Sequence, residues 1–268
     1  MAEDGAAGGL RFCANLKWLF TELPFEQRFM AAAQAGFRAV EYALPYGWPV
    51  GFLQEKLRAN GLQQILINTP VGAAHSPQRS GMACQPDSVA AFQHGMLQAL
   101  EYAEALGCPY IHLQAGLQPD NVTAAAALMQ FLENIHWAKE LAEKQGVILL
   151  LEAINRHDIP GFFLSDYHFA SDIVRQINSP SVRLMLDLYH CQVMHGDISR
   201  NIASLLPLAA HVQIADAPTR SEPGSGELNW HYVFSQLRRL GYDGWIGCEY
   251  RPLTSTAESL SWMTEKPV

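Results

Sequence analysis

Four stretches in the second half of the chain run apolar and then stop on an acidic or amide residue. VILLLEAIN carries Glu152, VRLMLDLYH carries Asp187, HVQIAD carries Gln213 and GWIGCEY carries Glu249. A charge at the end of a buried strand is costly unless it is paired or bound to a cation. Four oxygen donors, each closing its own strand, therefore predict one metal-centred site assembled from distant parts of the chain. Three carboxylates and a carbonyl oxygen are hard donors, which suit Mg²⁺ or Mn²⁺ better than a thiol-liganded metal. The competing reading buries each carboxylate against an arginine or backbone N–H groups. Glu152 and Glu249 would face each other across the cation, where such a pair can take a proton from one carbon and return it to its neighbour. The cation would stabilise the enediolate between the two steps. Proton-transfer isomerisation of this kind needs neither a nicotinamide nor a covalent nucleophile.

Positioning such a set falls to eight β-like runs: 10–16, 39–44, 64–69, 110–116, 147–155, 182–190, 211–216 and 244–250. Helical patterns alternate with them. In FEQRFMAAAQAG, Phe25, Phe29, Ala32 and Gly36 share one face; two longer helices are expected to stop at Gly107 and Gly146, and FSQLRRLG at Gly241. Strands that are apolar along their length, alternating with helices, imply a parallel sheet covered by helices. Eight units favour a single (β/α)₈ TIM barrel, and no GxGxxG follows the first strand to support a dinucleotide fold. Chemistry in such barrels sits at the C-terminal rim, which would also collect Asn15, Glu41, Asn68 and His112 or Gln114.

The 268 residues are predicted to form one domain over 10–268 behind a short disordered tail, 1–9, that has neither the basic flank nor the apolar core of a signal peptide. A net charge of −8 and the lack of any Lys/Arg cluster point away from nucleic acid. No window approaches the ~20 continuous apolar residues of a membrane span. Cys13, Cys84, Cys108, Cys191 and Cys248 form no CxxC pair, which suits reduced structural thiols in the cytoplasm. Self-association is left open.

The runs RFCANLKWLF, GFRAVEY, LINTP, LLLEAIN, LDLYHCQ, HVQIADAPTRSEPGSGELNW and GYDGWIGCEYRP resemble the hydroxypyruvate isomerase family of xylose-isomerase-like TIM barrels. The resemblance spans Leu10 to about Trp262. It implies Glu152 and Glu249 as the acid/base pair, and Glu152, Asp187, Gln213 and Glu249 as metal ligands. Gln213 stands where related ketose epimerases carry a His. It further implies that His190 and Arg220 contact substrate, the guanidinium clamping the carboxylate of a small keto acid. Asp158 falls where epimerases place a substrate-touching Glu. The expected reaction interconverts hydroxypyruvate and 2-hydroxy-3-oxopropanoate; the alternatives are isomerisation of 2-oxotetronate and, third, ketose epimerisation. The endonuclease IV-like enzymes share the barrel but need many His ligands and a basic groove.

Three smaller expectations complete the reading. The Gly/Pro/Ser-rich segment 70–86 after strand three is expected to act as a lid, with Arg79 solvated. His211 is expected to be a packed core residue, and Glu227 to organise its loop or cap a helix. Trp18, Phe20, Tyr46 and Trp48 could wall the pocket.

Overall fold

The computed structural model describes residues 9–263, so the expected tail falls almost wholly outside the described residues, as does 264–268. The strands are β1 (Arg11–Asn15), β2 (Ala39–Glu41), β3 (Gln63–Gln64), β4 (Leu66–Asn68), β5 (Tyr110–His112), β6 (Ile148–Glu152), β7 (Val182–Asp187), β8 (Ala209–Ile214) and β9 (Trp245–Cys248). All pair in parallel, in the order β3-β2-β1-β9-β8-β7-β6-β5-β4. The two ends of that order are one run of chain broken at Ile65. Its N–H reaches Val40 O at 2.9 Å, and Leu66 O accepts from Tyr42 N at 3.2 Å. The ninth strand is thus a kink in the third, and an eight-stranded barrel closes across it, as the sequence predicts.

The outer layer comprises α1 (Phe25–Gln34), α2 (Val50–Asn60), α3 (Val89–Leu106), α4 (Ala124–Gln145), α5 (Tyr167–Ile177), α6 (Leu188–His195), α7 (Ile198–Leu205), α8 (Trp230–Arg239) and the single turn α9 (Thr256–Ser259). Helices α3 and α4 stop on Gly107 and Gly146, both left-handed, where a side chain would be strained. Phe131, Ile135, Ala138 and Ala142 recur every three or four residues along α4 and are fully buried against the sheet. Among the described residues, no helix is long and apolar enough to cross a membrane. All five cysteines are buried and unpaired.

The lumen explains the site. Strand side chains alternate with a period of two, so residues two apart share a face. Cys13, Ala39 and Ile65 make one buried cluster in the barrel, and Leu66, Leu150 and Met185 another. Two residues further up the same strands stand Asn15, Glu41, Asn68, Glu152 and Asp187. The barrel therefore turns from apolar to polar within one step of the pleat, at its C-terminal end.

Candidate active site

Each rim side chain is aimed by its own strand end. Strand β7 stops at Asp187, earlier than the predicted 182–190, because that carboxylate caps α6. Its Oδ1 accepts from Tyr189 N at 2.8 Å and His190 N at 3.4 Å. One oxygen is spent on the helix, and Oδ2 is left for the site. The Tyr167 hydroxyl ties the same strand end, accepting from Asp187 N and donating to Met185 O.

His190, carried inward by the first turn of α6, is locked by Asn155. The Asn155 Oδ1 accepts from His157 N and Asp158 N, which turns its Nδ2 toward His190 Nδ1 at 2.7 Å. With Nδ1 accepting, the ring proton sits on Nε2, 3.6 Å from both Glu152 Oε1 and Asp187 Oδ2. Burial, and then the Arg220 charge, hold the ring neutral. Glu152, Asp187 and His190 form one of the clusters that could hold an ion.

Glu249 follows β9 directly. Its Oε1 accepts from Trp18 Nε1 at 3.2 Å and Asn15 Nδ2 at 3.3 Å, and its Oε2 accepts from Arg220 at 2.7 Å. Arg220 also reaches Asp158 at 3.2 Å and Asp187 at 3.4 Å, and its guanidinium lies over the rings of Trp18 and Tyr189 at 5.0 and 5.1 Å. Part of the competing reading therefore holds: Arg220 is a counter-charge for Glu249 and Asp187. It is not sufficient. Burial first, then the charges of Glu249 and Asp187, push Glu152 well above the ordinary carboxylate range despite Arg220. Burial likewise raises Asp187 to about 7, against the pull of Arg220. Three clustered carboxyls against one guanidinium leave the site short of positive charge.

Three of the four predicted ligands share a cavity, and Asp187 is not among its lining residues. Glu152, Gln213 and Glu249 line one cavity of about 20 Å³, together with Asn15, Glu41, Asn68 and His112. That is room for a single water-sized body. Glu152 Oε1 and Gln213 Oε1 are buried and have no hydrogen-bond partner among the described residues. Orphaned hard oxygens beside excess negative charge are what a divalent cation satisfies, so this donor set fits Mg²⁺ or Mn²⁺.

Three features were not assigned a role by the sequence. His112, at the tip of β5, sits with Nδ1 3.5 Å from Glu152 Oε2, and burial pushes it down to about 3, so it is neutral. Glu41 lies under the cavity and takes hydrogen bonds from Asn15, Gln213 and His211; His211 is thus a core residue with a partner. Asp216, fully buried, accepts from the N–H groups of Gly224, Gly226 and Leu228 and from Trp230 Nε1, and so organises the loop that presents Arg220. That role was expected of Glu227, which instead meets Gln192 at the surface, while Asn229 caps α8. A carboxylate two residues past an apolar strand, ahead of a Gly-rich loop, was the available signal.

The segment after β4 differs from a free lid. Its second half is pinned: Met82, Ala83, Cys84 and Gln85 are buried, and Cys84 N reaches Ala115 O at 2.8 Å. Arg79 is exposed and bonds within its own turn. Of the four aromatics, Trp18 reaches the site, while Trp48 stacks on Phe25 and Phe52. Gln114 is not among the cavity-lining residues.

Comparison with known proteins places this geometry. Residues 29–266 match the family model described as xylose isomerase-like TIM barrel. The chain is 41% identical over 253 residues to a 2-oxo-tetronate isomerase of Cupriavidus necator, covering 94% of this chain and 97% of that one. It is 38% identical over 254 residues to a hydroxypyruvate isomerase of Escherichia coli, covering 95% and 98%. A solved structure from Brucella melitensis, described as an AP endonuclease of family 2, is 38% identical and superposes with a TM-score of 0.92 over 95% of this chain and 98% of that one.

Proposed function

The chain belongs to the xylose isomerase-like TIM barrel family, and from that premise we propose that it is an isomerase interconverting hydroxypyruvate and 2-hydroxy-3-oxopropanoate. One observation carries the reading: Glu152 and Glu249, from strands far apart in the chain, line the same small cavity beneath a guanidinium.

In the forward direction one glutamate takes a proton from C3, giving an enediolate. The other places a proton on C2, and the hydroxyl proton passes from O3 to O2. One C–H bond breaks, one forms, and nothing is oxidised overall. The roles exchange in the reverse direction. Glu152, Asp187, Gln213 and Glu249 would hold a divalent cation, which when bound supplies charge stabilisation to the carbonyl and enediolate oxygens. Arg220 leaves its present carboxylate partners to clamp the substrate carboxylate, its plane kept by Trp18 and Tyr189. His190 Nε2–H, held by Asn155, donates toward a substrate oxygen. Asp158, bonded by Arg220 and the Tyr189 hydroxyl, would meet the substrate next to that guanidinium.

The C. necator relative keeps 2-oxotetronate as the competing substrate. Cleavage of DNA is disfavoured: the cavity walls are acidic, and a phosphate backbone needs basic ones. Incubating the enzyme with each keto acid in deuterated water and following C–H exchange by NMR tests the proposal. Exchange at C3 of hydroxypyruvate with formation of the semialdehyde supports it. Turnover of 2-oxotetronate alone would transfer the enzyme to the longer substrate, and no exchange with either acid would remove the glutamate pair from the chemistry.

A further inference from the structure

We infer that Glu41 is a positioning residue whose buried carboxylate fixes the Gln213 amide, presenting the Gln213 carbonyl oxygen rather than its NH₂ to the cation cavity. This deepens the proposed function and rests on its reading of Gln213 as an ion ligand.

The observation is a count of donors. An ionised carboxylate offers about four lone-pair sites and no proton. Glu41 has them filled two to each oxygen. Oε1 accepts from Asn15 Nδ2 and Gln213 Nε2, both at 2.7 Å, and Oε2 accepts from His211 Nε2 at 2.7 Å and Cys13 Sγ at 3.6 Å. The residue is 1% exposed. A saturated acceptor of this kind cannot tolerate an amide oxygen against it. Gln213 must give Glu41 its NH₂, so its Oε1 is turned to the cavity, where it has no partner. Asn15 is oriented by the same contact: its Oδ1 takes Lys17 N at 3.0 Å, and its Nδ2 spans Glu41 and Glu249.

The saturation also accounts for the neighbouring set Cys13, Glu41 and His211. Their donor atoms lie within 4.8 Å of one another, yet the Glu41 oxygens are already engaged, so the set is a hydrogen-bond cradle and not a second ion site. Gly247 completes it. A Cβ built there would stand 2.5 and 2.6 Å from the two Glu41 oxygens, so only glycine on β9 leaves room for this carboxylate. An amide presents a donor or an acceptor according to a flip, and Glu41 settles the flip.

The test measures Mn²⁺ binding to the metal-stripped protein by calorimetry and electron paramagnetic resonance, with thermal midpoints alongside. Glu41→Gln should weaken Mn²⁺ binding roughly 10- to 100-fold, the usual cost of losing a group that orients a ligand, while unfolding stays cooperative. Gly247→Ala keeps every polar group but displaces the carboxylate, and should weaken binding in the same direction. The double exchange Glu41→Gln with Gln213→Glu reverses donor and acceptor, keeps the hydrogen bond and puts a carboxylate oxygen on the cavity. It should restore the affinity. Wild-type affinity in folded Glu41→Gln and Gly247→Ala proteins would overturn the inference while leaving the ion site standing. No Mn²⁺ binding by the wild type would instead overturn the reading on which it rests.

Discussion

Glu152 and Glu249 are chemically identical side chains in unlike surroundings, and the difference can be tested residue by residue. Glu249 accepts from an indole, an amide and a guanidinium. Glu152 faces neutral His112 and His190 across gaps of 3.5 and 3.6 Å and has one oxygen unsatisfied. Glu152→Gln and Glu249→Gln should each lower kcat by about 10²–10⁴-fold, the usual worth of a positioned acid or base. Their effects on stability should differ. Glu152→Gln removes a crowded, desolvated carboxyl and should leave the thermal midpoint of the metal-free protein unchanged or higher. Glu249→Gln weakens a charge-assisted bond to Arg220 and should cost about 1–3 kcal/mol of stability. Near-normal turnover in either variant would strike that residue from the mechanism.

At the scale of elements, the loop between β8 and α8 carries Arg220, the proposed substrate clamp, and shows how a Gly-rich stretch is held in place. Its anchor is Asp216, with four donors on one buried carboxylate. Gly226 packs so closely that a Cβ would fall 2.0 Å from Ala217 O. Asp216→Ala strands those donors, so a stability loss of about 2–4 kcal/mol is expected. KM should rise more than kcat falls, because Arg220 loses its place while both glutamates keep theirs. Unchanged KM in a folded Asp216→Ala protein would separate the loop from substrate binding. The anchor was faint in the sequence because three of its four donors are backbone N–H groups, which leave no trace in residue type, and the carboxylate ahead of a Gly-rich loop was its one sign. The strand-end carboxylates were legible for the opposite reason, since an acid closing an apolar run has no ordinary explanation. Strand β7 was read three residues too long because LYH looks β-like, and only the cap by Asp187 shows that a helix begins there.

Across the whole molecule, alternation of apolar strands with helices was enough to give the barrel, and the rule for such barrels placed the chemistry at one end. The two-residue step from Cys13 to Asn15, Ala39 to Glu41 and Leu150 to Glu152 was also present in the sequence. It becomes a layer only once the strands are in register. A much larger cavity provides an independent check, because it lies at the other end. About 1040 Å³ open at the strand starts, lined by residues including Arg11, Gln54, Arg58, Gln64, Tyr110 and Trp245. Volume alone would make it a favoured site, but several of its polar groups are already committed. Gln54 donates to Ala105 O, Gln64 to Leu66 O and Arg11 to Asp243 O, with the Arg11 guanidinium lying over Trp245. The cavity of about 20 Å³ at the rim, by contrast, gathers the raised Glu152 carboxyl and the orphaned oxygens. Arg58→Ala and Gln54→Ala should therefore leave kcat and KM within roughly twofold of wild type, as solvated positions away from a site usually do. A tenfold change in either constant would move the reaction to the opposite mouth of the barrel and undo the assignment of the rim.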